Sequence, residues 1–476
     1  MDKLTGEVVP IVVLCAVIAL VVQRLPKVDL GHSPEFLRRR VLNWLPLGLT
    51  YAFLYMGRYN VNGLVDGNVI SNGDFGNIDA VGQIVYGLAF LLNGPLADRL
   101  GGRFTILVAA AGAAACNAAI GIMIVLGTHA PTFVLKMPFL TVPIGAHDPM
   151  PFWPLMLLNA ANMYFQSFGA VSIVKVNASW FHLRERGTFG GIFGILISIG
   201  IYLALDWAPK IASLTSLEWM FLTPALILVV FWLLSFLFVR DTPKDAGFAD
   251  FDVADASSGD TGPAESAGTI IKKMLSNRII LTIAFISLCS GFLRMGILKW
   301  QRVFAKGVHA DGAWASQHWG MVACIAGITG GMFAGIISDH VFNSRRPPVA
   351  IVLFGVALVG SVAILPLLGF PPAVTWAIAI MLTAILGVHG MLSGVASQDF
   401  GGRRNAGTAT GLIDGFVYFG GAAQAAVYAR VLPTGVDAAD PDNWRVWPLA
   451  MIPMALIGIG LSLSIRNARV QPKAPH

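Results

Sequence analysis

Long apolar stretches separated by short charged turns run along almost the whole chain. Each stretch is about 20 residues long, the length that an α-helix needs to cross roughly 30 Å of hydrocarbon. The stretches are continuous and do not alternate between apolar and polar residues, as the strands of a membrane barrel do. We predict thirteen spans, near residues 8–23, 42–62, 78–97, 104–127, 151–178, 187–207, 218–239, 277–298, 316–338, 348–368, 374–397, 406–430 and 445–465. The pattern predicts an all-α membrane protein.

The composition supports this prediction. Of the 476 residues, 56% are hydrophobic and 12% are charged, and the mean hydropathy is +0.71. A chain this poor in polar residues cannot coat a soluble globule. The net charge is +6, and many of the Lys and Arg residues fall in short turns, where they orient helices. The positive charge therefore indicates no nucleic-acid partner, and the surrounding lipid is the expected environment.

The sequence contains no motif for enzymatic chemistry or for a cofactor. We find no nucleotide-binding loop, catalytic triad or metal-ligand spacing. The cysteines lie in apolar segments without a CxxC or Cys/His pattern, which favours packing roles over a metal site or disulfides. They are Cys15, Cys116, Cys289 and Cys324. We expect a protein that is not an enzyme and that binds neither a metal nor a cofactor.

Clusters of Lys and Arg in alternate turns predict the orientation of the helices. Five clusters fall on one side of the membrane in a consistent threading, at residues 98–103, 183–187, 344–346, 402–404 and 466–473. The positive-inside rule makes this side cytoplasmic. We therefore expect a bacterial inner-membrane protein with a cytoplasmic carboxyl terminus and a periplasmic amino terminus. Lys299, Arg302 and Lys306 are an exception, because the threading places them outside.

The first span, within residues 1–40, is additional to the other twelve. A secretory signal is the alternative, but Asp2 and Glu7 flank a lone Lys3, and no small-residue cleavage site follows the apolar run. We predict a retained transmembrane helix, joined to the next span by a linker that contains three arginines at residues 38–40. A peripheral anchor is its simplest role, and docking of a protein partner is another.

The twelve remaining spans divide into two halves, residues 41–239 and residues 277–476. Between them lies a segment rich in Asp, Ala, Gly and Ser without apolar periodicity, residues 240–276. We interpret this segment as a flexible cytoplasmic loop.

Two features recur in both halves at nearly one spacing. Arg58 recurs as Arg294, an offset of 294 − 58 = 236, and a Gly-x-x-x-Asp motif recurs with an offset of 335 − 94 = 241. The motif occurs at Gly94 to Asp98 and at Gly335 to Asp339. Such duplication indicates a transporter built from two bundles.

Arg58 and Arg294 are the most informative residues, because each lies inside an apolar span. A guanidinium near the centre of a bilayer costs roughly 2.5–3.5 kcal/mol on insertion scales and stays protonated. A pair in matching positions predicts a cavity that binds an anion. Snorkelling to the interface is the alternative, since each arginine lies toward one end of its span.

One loop resembles a family signature along its whole length. The segment Gly94-Pro-Leu-Ala-Asp-Arg-Leu-Gly-Gly-Arg103 is similar to the loop between helices two and three of the major facilitator superfamily. The resemblance implies two six-helix bundles, here with one extra amino-terminal transmembrane helix. It also implies conformational gating by this loop, with Asp98 and Arg103 pairing in one conformation. The gating candidates are Gly94, Asp98, Arg99, Arg103 and Asp339.

Further motifs resemble the organophosphate:phosphate antiporters, a branch of that superfamily that includes glycerol-3-phosphate and hexose-phosphate transporters. They are Arg58-Tyr-Asn60, Gly73-Asp-Phe-Gly76, Tyr86-Gly87, Phe165-Gln166, Glu185-Arg-Gly187, Arg240-Asp-Thr-Pro243, Arg294-Met-Gly-Ile-Leu-Lys-Trp300, Ala406-Gly-Thr-Ala-Thr-Gly411 and Tyr418-Phe-Gly-Gly421. In that family two arginines hold the phosphate of the substrate, a role that the resemblance assigns to Arg58 and Arg294. Guanidiniums from opposite halves can bind phosphate oxygens through forked, charge-assisted hydrogen bonds.

The chain departs from this family at three positions of the cavity. Tyr59 and Phe90 stand where the glycerol-3-phosphate transporters have lysines, and Ile197 stands where they have a histidine associated with substrate binding. These replacements lower the positive charge of the cavity. We therefore expect an anion other than glycerol 3-phosphate, less charged or more apolar.

Other polar residues could complete the anion site. Tyr51 and Tyr55 precede Arg58 by seven and three residues and so share its helical face. Lys175 could add a third charge, although an interfacial position is an equal alternative. Gln166 could supply an amide contact, and packing is its alternative role.

Two titratable residues lie inside spans of the second half. An intramembrane carboxylate is costly unless it is paired or protonated, so Asp414 could carry a coupling proton or partner Arg294. His389, in Gly387-Val-His-Gly390, could contact the substrate, and a hydrogen-bonded helix contact is its simpler role.

Three functions remain open from the sequence. The first is secondary active transport of an organic or phosphorylated anion by alternating-access exchange with inorganic phosphate. The second is proton-coupled anion symport through Asp414 or His389. The third is a sensor or accessory subunit that does not transport, because the family that the chain resembles includes a sensor.

Overall fold

The computed structural model describes residues 30–67, 69–129, 133–137, 140–144, 152–182, 185–253, 267–342, 346–391 and 397–466, with a few positions between 12 and 23. Within these ranges the chain forms twelve long helices, six in each half. Nine helical segments of the described ranges are long and apolar enough to span a membrane by length and composition. The described residues thus follow the predicted pattern of two six-helix halves.

The amino half contains helices α1 to α6. Their bounds are Pro34–Tyr59 (α1), Asn72–Leu100 (α2), Gly102–His129 (α3), Phe152–Trp180 (α4), Arg186–Tyr202 (α5) and Trp219–Phe238 (α6). A π-helical turn, Leu203–Trp207, and a further helical turn, Ala208–Leu214, prolong α5. A two-stranded antiparallel hairpin connects α3 to α4, with β1 at Phe133–Met137 and β2 at Leu140–Ile144. The sequence analysis did not predict this hairpin.

The carboxy half contains helices α7 to α12. Their bounds are Arg278–Leu298 (α7), Trp319–Val341 (α8), Arg346–Leu367 (α9), Pro371–His389 (α10), Ser397–Val431 (α11) and Val446–Ser464 (α12). Shorter helices in the connections are Asn62–Asp66, Ala267–Ser276, Gln301–Gly307 and Trp314–Gln317, with 3₁₀ turns at Lys244–Ala246, Gly435–Ala439 and Pro441–Arg445.

Helix α1 begins earlier than the sequence pattern predicted. Oγ of Ser33 accepts from the N–H of Phe36 at 3.2 Å, a proline occupies the first turn, and Glu35 lies near the positive end of the helix dipole. The three arginines at residues 38–40 therefore lie on α1 and not in a linker. Arg40 uses this position to form an ion pair with Glu185, 2.9 Å between Nη1 and Oε1.

The two halves meet where α2 lies against α11 and where α5 lies against α8. A Cβ on Gly76 of α2 would lie 2.5 Å from Cβ of Ala429 on α11, and a Cβ on Gly411 of α11 would lie 2.3 Å from the carbonyl oxygen of Phe90 on α2. Small residues at such contacts let helix backbones approach closely in a membrane. Helices α2 and α11 therefore pack closely against each other at two separate points of the contact between the halves.

The start of the predicted central loop packs against the amino half. Phe248 and Phe251 lie edge-on against Phe36, with ring centroids 5.7 and 5.8 Å away. Nε1 of Trp180 donates to the carbonyl oxygen of Arg240 at 3.0 Å. Residues 254–266 of this loop, and most of the predicted first span, lie outside the described residues.

Candidate functional site

Arg58 is buried near the end of α1, with 5% of its surface exposed. Its Nε donates to Oε1 of Gln166 and its Nη1 donates to the hydroxyl of Tyr418, both at 2.8 Å. Its Nη2 is buried and has no hydrogen-bond partner among the described residues. Because a guanidinium has five N–H donors and no acceptor, Arg58 retains donors for a ligand rich in oxygen acceptors.

A chain of amides holds Gln166 in place. Nε2 of Gln166 donates to Oδ1 of Asn162, and Nδ2 of Asn162 donates to the carbonyl oxygen of Gly57, both at 2.9 Å. Asn117 on α3 donates to the same carbonyl oxygen at 3.2 Å. These bonds join α1, α3 and α4, so they fix the amide that orients Arg58.

Arg294 on α7 is the second buried arginine, with 4% of its surface exposed. Its Nε and Nη2 are buried, and neither bonds to a residue that the structure describes. The ring centroid of Tyr418 on α11 lies 5.9 Å from the guanidinium carbon of Arg58 and 5.9 Å from that of Arg294. The charge of Asp414, one turn before Tyr418, also acts on Arg294. The ring of Tyr418 therefore lies equally close to two arginines that belong to opposite halves.

Aromatic rings surround Arg58. Its guanidinium carbon lies 4.4 Å from the ring centroid of Tyr55 and 4.5 Å from that of Tyr86. Tyr86 packs against Tyr418 with centroids 4.0 Å apart, and Phe90 packs edge-on against Tyr86 at 4.7 Å. Ring faces attract a desolvated cation by about 2 kcal/mol or more. They therefore stabilise the buried charge without neutralising it.

A buried ion pair joins the halves beyond the arginines. Nζ of Lys299, just after α7, bonds to Oδ1 of Asp79 on α2, and the side chains are 6% and 8% exposed. Lys299 also lies over the ring of Tyr59, 5.3 Å from its centroid. A cavity of about 10 Å³, room for about one water molecule, is lined by this pair and by Arg58. We call this side of the site the Lys299 end.

A second ion pair connects the halves at the Lys299 end. Nη2 of Arg302 donates to Oδ1 of Asp206 at 2.7 Å. The same carboxylate accepts from the backbone N–H groups of Gly320 and Met321, both at 2.8 Å. Asp206, in the π-helical turn after α5, therefore caps the first turn of α8 from the opposite half. π-helical turns are frequent at functional sites.

The halves also touch at the other side of the site, which we call the Asp98 end. Oδ2 of Asp98 accepts from the N–H and the hydroxyl of Thr408 on α11, at 2.9 and 2.8 Å. Oδ1 of Asp98 lies 3.0 Å from Nζ of Lys175 on α4. Because contacts bridge the halves at both ends, Arg58 and Arg294 are enclosed in this structure.

The turn after Asp98 has a clear physical basis. Gly101 has a φ of +86°, and a Cβ there would lie 2.6 Å from Oδ2 of Asp241. Oδ1 of Asp241 accepts from the N–H of Arg103 at 2.8 Å and so caps α3. Burial raises the pKa of the Asp241 carboxyl, and the N–H groups of Arg103 and Gly102 oppose that shift. Glycine is required at this turn, and Asp241 anchors the start of the central segment.

Asp98 and Arg103 have different partners in this conformation. Their pairing, expected in one conformation of the protein, stays a prediction, and here Nη2 of Arg103 donates to the carbonyl oxygen of Phe236 at 2.8 Å. The free carbonyls at the end of α6 carry the negative end of the helix dipole, which attracts this cation. Asp98 instead bonds to Lys175 and Thr408.

The other gating candidates surround the same end. Gly94 is buried against α11, where a Cβ on Gly411 would lie 3.4 Å from its Cα, and Arg99 is exposed. The side chain of Asp339 lies outside the described residues. Lys175 lies here as the partner of Asp98, and its contact with substrate stays a prediction.

The remaining predicted residues lie close to the arginines. Tyr51 is buried and packs edge-on against Tyr55 with centroids 5.1 Å apart. Asp414 and His389 both lie within electrostatic range of Arg294. Nδ1 of His389, at the end of α10, is buried and has no hydrogen-bond partner in the described part of the chain. Their roles toward a substrate stay predictions.

The sequence analysis missed several residues of the site. It quoted Tyr86 and Tyr418 only as parts of family-like motifs, and it treated Lys299 and Arg302 as loop charges. Asp79 and Asp206 were not singled out, although each carboxylate falls within an apolar span, which is a signal of function. Within the described ranges, no group of three or more His, Cys, Asp or Glu residues is placed to hold a metal ion.

Comparisons with known proteins agree on the fold. The family model described as Major Facilitator Superfamily matches residues 47–425. Among solved structures, a bacterial homologue of the human lysosomal transporter Spinster, in an inward-facing and occupied conformation, aligns with a TM-score of 0.60 at 12% identity. The alignment covers 93% of this chain and 99% of that one.

Three relatives are similar to this chain over most of their length. The glycerol-3-phosphate transporter of Bacillus subtilis (strain 168) is 26% identical, with 90% of this chain and 93% of that protein aligned. A probable hexose phosphate transport protein of Chlamydia trachomatis is 23% identical, over 93% of this chain and 96% of that protein. The membrane sensor protein UhpC of Salmonella typhimurium is 24% identical, over 84% of this chain and 86% of that protein.

Proposed function

The chain belongs to the major facilitator superfamily, and from that premise we propose that it is a secondary transporter of an organic or phosphorylated anion that exchanges its substrate for inorganic phosphate. Relatives named for glycerol 3-phosphate and for hexose phosphate support an anionic, phosphorylated substrate.

The observation that carries this proposal is the enclosed pair of arginines from opposite halves. Arg58 retains a buried Nη2 and Arg294 retains a buried Nε and Nη2 that bond to none of the described residues. Phosphate oxygens are acceptors that match forked guanidinium donors. An anion held by both groups would draw the halves together, and this links occupancy of the site to its access.

Bridges at both ends of the site support alternating access. Asp98 with Thr408 joins the halves at one end, and Asp206 with Arg302 joins them at the other. Opening either end requires breaking one set of contacts while the other set remains. Transporters of this family open the two ends of the site in turn. Here the Asp98 contact would break when one end opens, and the Asp206 contact would break when the other end opens.

The charge distribution supports a cytoplasmic Asp98 end in a bacterial inner membrane. Arg99 lies at the end of α2 and Arg103 at the start of α3, and Arg240 follows α6 on the same side. Short loops rich in Lys and Arg stay cytoplasmic by the positive-inside rule. Labelling of Arg99→Cys from one side of sealed membrane vesicles tests this orientation.

The test of transport is exchange in reconstituted vesicles. Purified protein in vesicles loaded with phosphate should release labelled phosphate when an external organic phosphate is added. Arg58→Lys and Arg294→Lys keep the charge but lose the planar fork, and each should lower the exchange rate at least tenfold. Arg445→Lys is the matched control, because the side chain of Arg445 is 60% exposed and pairs with the exposed Asp442.

The alternatives predict different outcomes. Unchanged exchange in both arginine variants would contradict the proposal. Uptake driven by a pH gradient and lost in Asp414→Asn would favour proton-coupled symport. Anion binding without any flux would favour a sensor, as UhpC is named among the relatives.

A further inference from the structure

The first predicted span packs against the rest of the protein through one face. The positions that the structure describes between residues 12 and 23 are helical, and Leu14 is buried. Ile18, one turn later on the same face, is half-buried, whereas Val12 and Leu20 are exposed. A transmembrane helix with this pattern lies against the protein on one side and against lipid on the other.

The buried face joins an apolar cluster that draws on both halves. Leu14 is one of its buried members, and Ile18 packs against it. The other buried members lie on the two helices that meet here, and they are Ile195 and Tyr202 on α5 and Met321, Cys324 and Ile328 on α8. They are spaced three, four or seven residues apart, so each helix contributes one face. The cluster places the first helix at the contact between α5 and α8.

The same cluster adjoins the bridge that closes the Lys299 end. Tyr202 lies one turn before Asp206, and the backbone N–H of Met321 donates to Oδ2 of Asp206 at 2.8 Å. Further along, α5 and α8 touch closely, because a Cβ on Gly327 would lie 2.4 Å from Oγ of Ser198. Opening the Lys299 end would separate these two helices. A helix that packs at their contact is therefore placed to affect that step.

We propose that the amino-terminal helix is a lateral clamp, which stabilises the closed Lys299 end by packing on α5 and α8 together. This role rests on the alternating access proposed above. When α5 and α8 separate, the clamp can follow only one of them and loses its contacts with the other. In lipid this loss is one of close packing, because lipid tails are as apolar as Leu14 and Ile18. An element that packs better on one conformation shifts the equilibrium toward it, so the clamp opposes opening of the Lys299 end.

Amide hydrogen exchange reports the two ends of the site separately. The N–H groups of Gly320 and Met321 bond to Asp206 and report the Lys299 end. The N–H of Thr408 bonds to Asp98 and reports the Asp98 end. A protected amide exchanges when its hydrogen bond opens, so each rate measures how readily that end opens.

Shortening the buried face should release the Lys299 end alone. The double variant Leu14→Ala with Ile18→Ala removes packing from the clamp, and hydrogen exchange at both reporters of the Lys299 end should become about fivefold faster or more. The purified full-length protein is used. Hydrogen exchange at Thr408 should not accelerate, because the Asp98 end stays closed while the other end opens. Val12→Ala with Leu20→Ala makes a matched change on the exposed side of the same helix and should leave the rates at both ends unaltered.

A chain that begins at residue 30 lacks the clamp and should show the same difference between the two ends. Three outcomes would overturn the clamp. The first is unchanged hydrogen exchange at the Lys299 end in both the double variant and the shortened chain. The second is equal acceleration at both ends, which indicates general loosening of the protein. The third is an equal effect of the substitutions on the exposed side.

Failure of the clamp is distinct from failure of the transport proposal, because hydrogen exchange is measured without a substrate. If phosphate exchange in vesicles depends on Arg58 and Arg294 while the amide rates show no clamp, only the clamp fails. If phosphate exchange is indifferent to both arginines, the transport proposal itself fails.

Discussion

Nη1 of Arg58 on α1 donates to the hydroxyl of Tyr418 on α11 at 2.8 Å, and this hydrogen bond joins the two halves near the buried arginines. The ring of the same tyrosine lies 5.9 Å from the guanidinium carbon of Arg294. Any motion that separates α1 from α11 must break this bond. Tyr418 therefore couples the geometry of both arginines to the distance between the halves.

Removing this hydroxyl should weaken binding of the transported anion. Tyr418→Phe keeps the ring beside both arginines but leaves Nη1 of Arg58 without its acceptor. Hydrogen bonds to charged groups contribute about 1.5–3 kcal/mol, and the guanidinium loses the contact that fixes its plane. We expect KM for exchange to rise about tenfold, measured from the substrate dependence of flux in vesicles. Tyr164→Phe, on a 37% exposed tyrosine, should leave KM unchanged, and an unaltered KM in Tyr418→Phe would contradict the role of the hydroxyl.

A carboxylate in place of Gln166 should compete with the substrate. Oε1 of Gln166 already accepts from Nε of Arg58 at 2.8 Å, so Gln166→Glu needs little change in shape. The new charge neutralises Arg58 and removes the attraction for an anion. We expect at least a tenfold loss of anion affinity with retained folding, measured by calorimetry and thermal unfolding. Asn443→Asp adds the same charge at an exposed position and should have no effect, and tight binding by Gln166→Glu would argue against an anion site at Arg58.

The arginines could be predicted from sequence, because a guanidinium inside an apolar span is informative by itself. Their partners could not. From the sequence, Lys299 and Arg302 were interpreted as loop charges on the outer side of the membrane. In the structure Lys299 bonds to Asp79, 220 residues away in sequence, and Arg302 bonds to Asp206, 96 residues away. Such pairs depend on how the two halves pack against each other. The residues next to each charge in the sequence give no information about that packing.

The bounds of the helices were predicted well where a long apolar run sets them, and less well where a capping residue sets them. The predicted span 42–62 is observed as Pro34–Tyr59, because Ser33 caps a polar first turn that hydropathy cannot detect. The predicted span 187–207 continues past a π-helical turn to Leu214. That turn carries Asp206, so the departure from the expected helix coincides with a contact between the halves.

Close packing of α7 on α11 should position Arg294 against Tyr418. A Cβ on Gly291 would lie 1.9 Å from the carbonyl oxygen of Val417, so Gly291→Ala must push the helices apart. Overpacking of this kind costs about 1–3 kcal/mol, and the displacement reaches Arg294, one turn later. We expect a lower unfolding temperature and weaker anion binding. Gly355→Ala, where a Cβ meets nothing within 4 Å, should be neutral or stabilising, and equal stability of the two variants would refute the packing argument.

Loss of Asp206 should loosen the Lys299 end. Asp206→Asn removes the charge that Arg302 pairs with at 2.7 Å and weakens the cap on Gly320 and Met321. Leaving one partner of a buried ion pair alone costs about 3–5 kcal/mol, and the side chains of this pair are 12% and 17% exposed. We expect faster amide hydrogen exchange at Gly320 and Met321, together with a lower unfolding temperature. The exposed pair of Asp442 and Arg445, 67% and 60% exposed, is the matched comparison, because exposed pairs contribute about 0–1 kcal/mol. If Asp442→Asn destabilised the protein as much as Asp206→Asn, or if exchange at the start of α8 stayed slow, the Asp206 bridge would not be what holds the two halves together at this end.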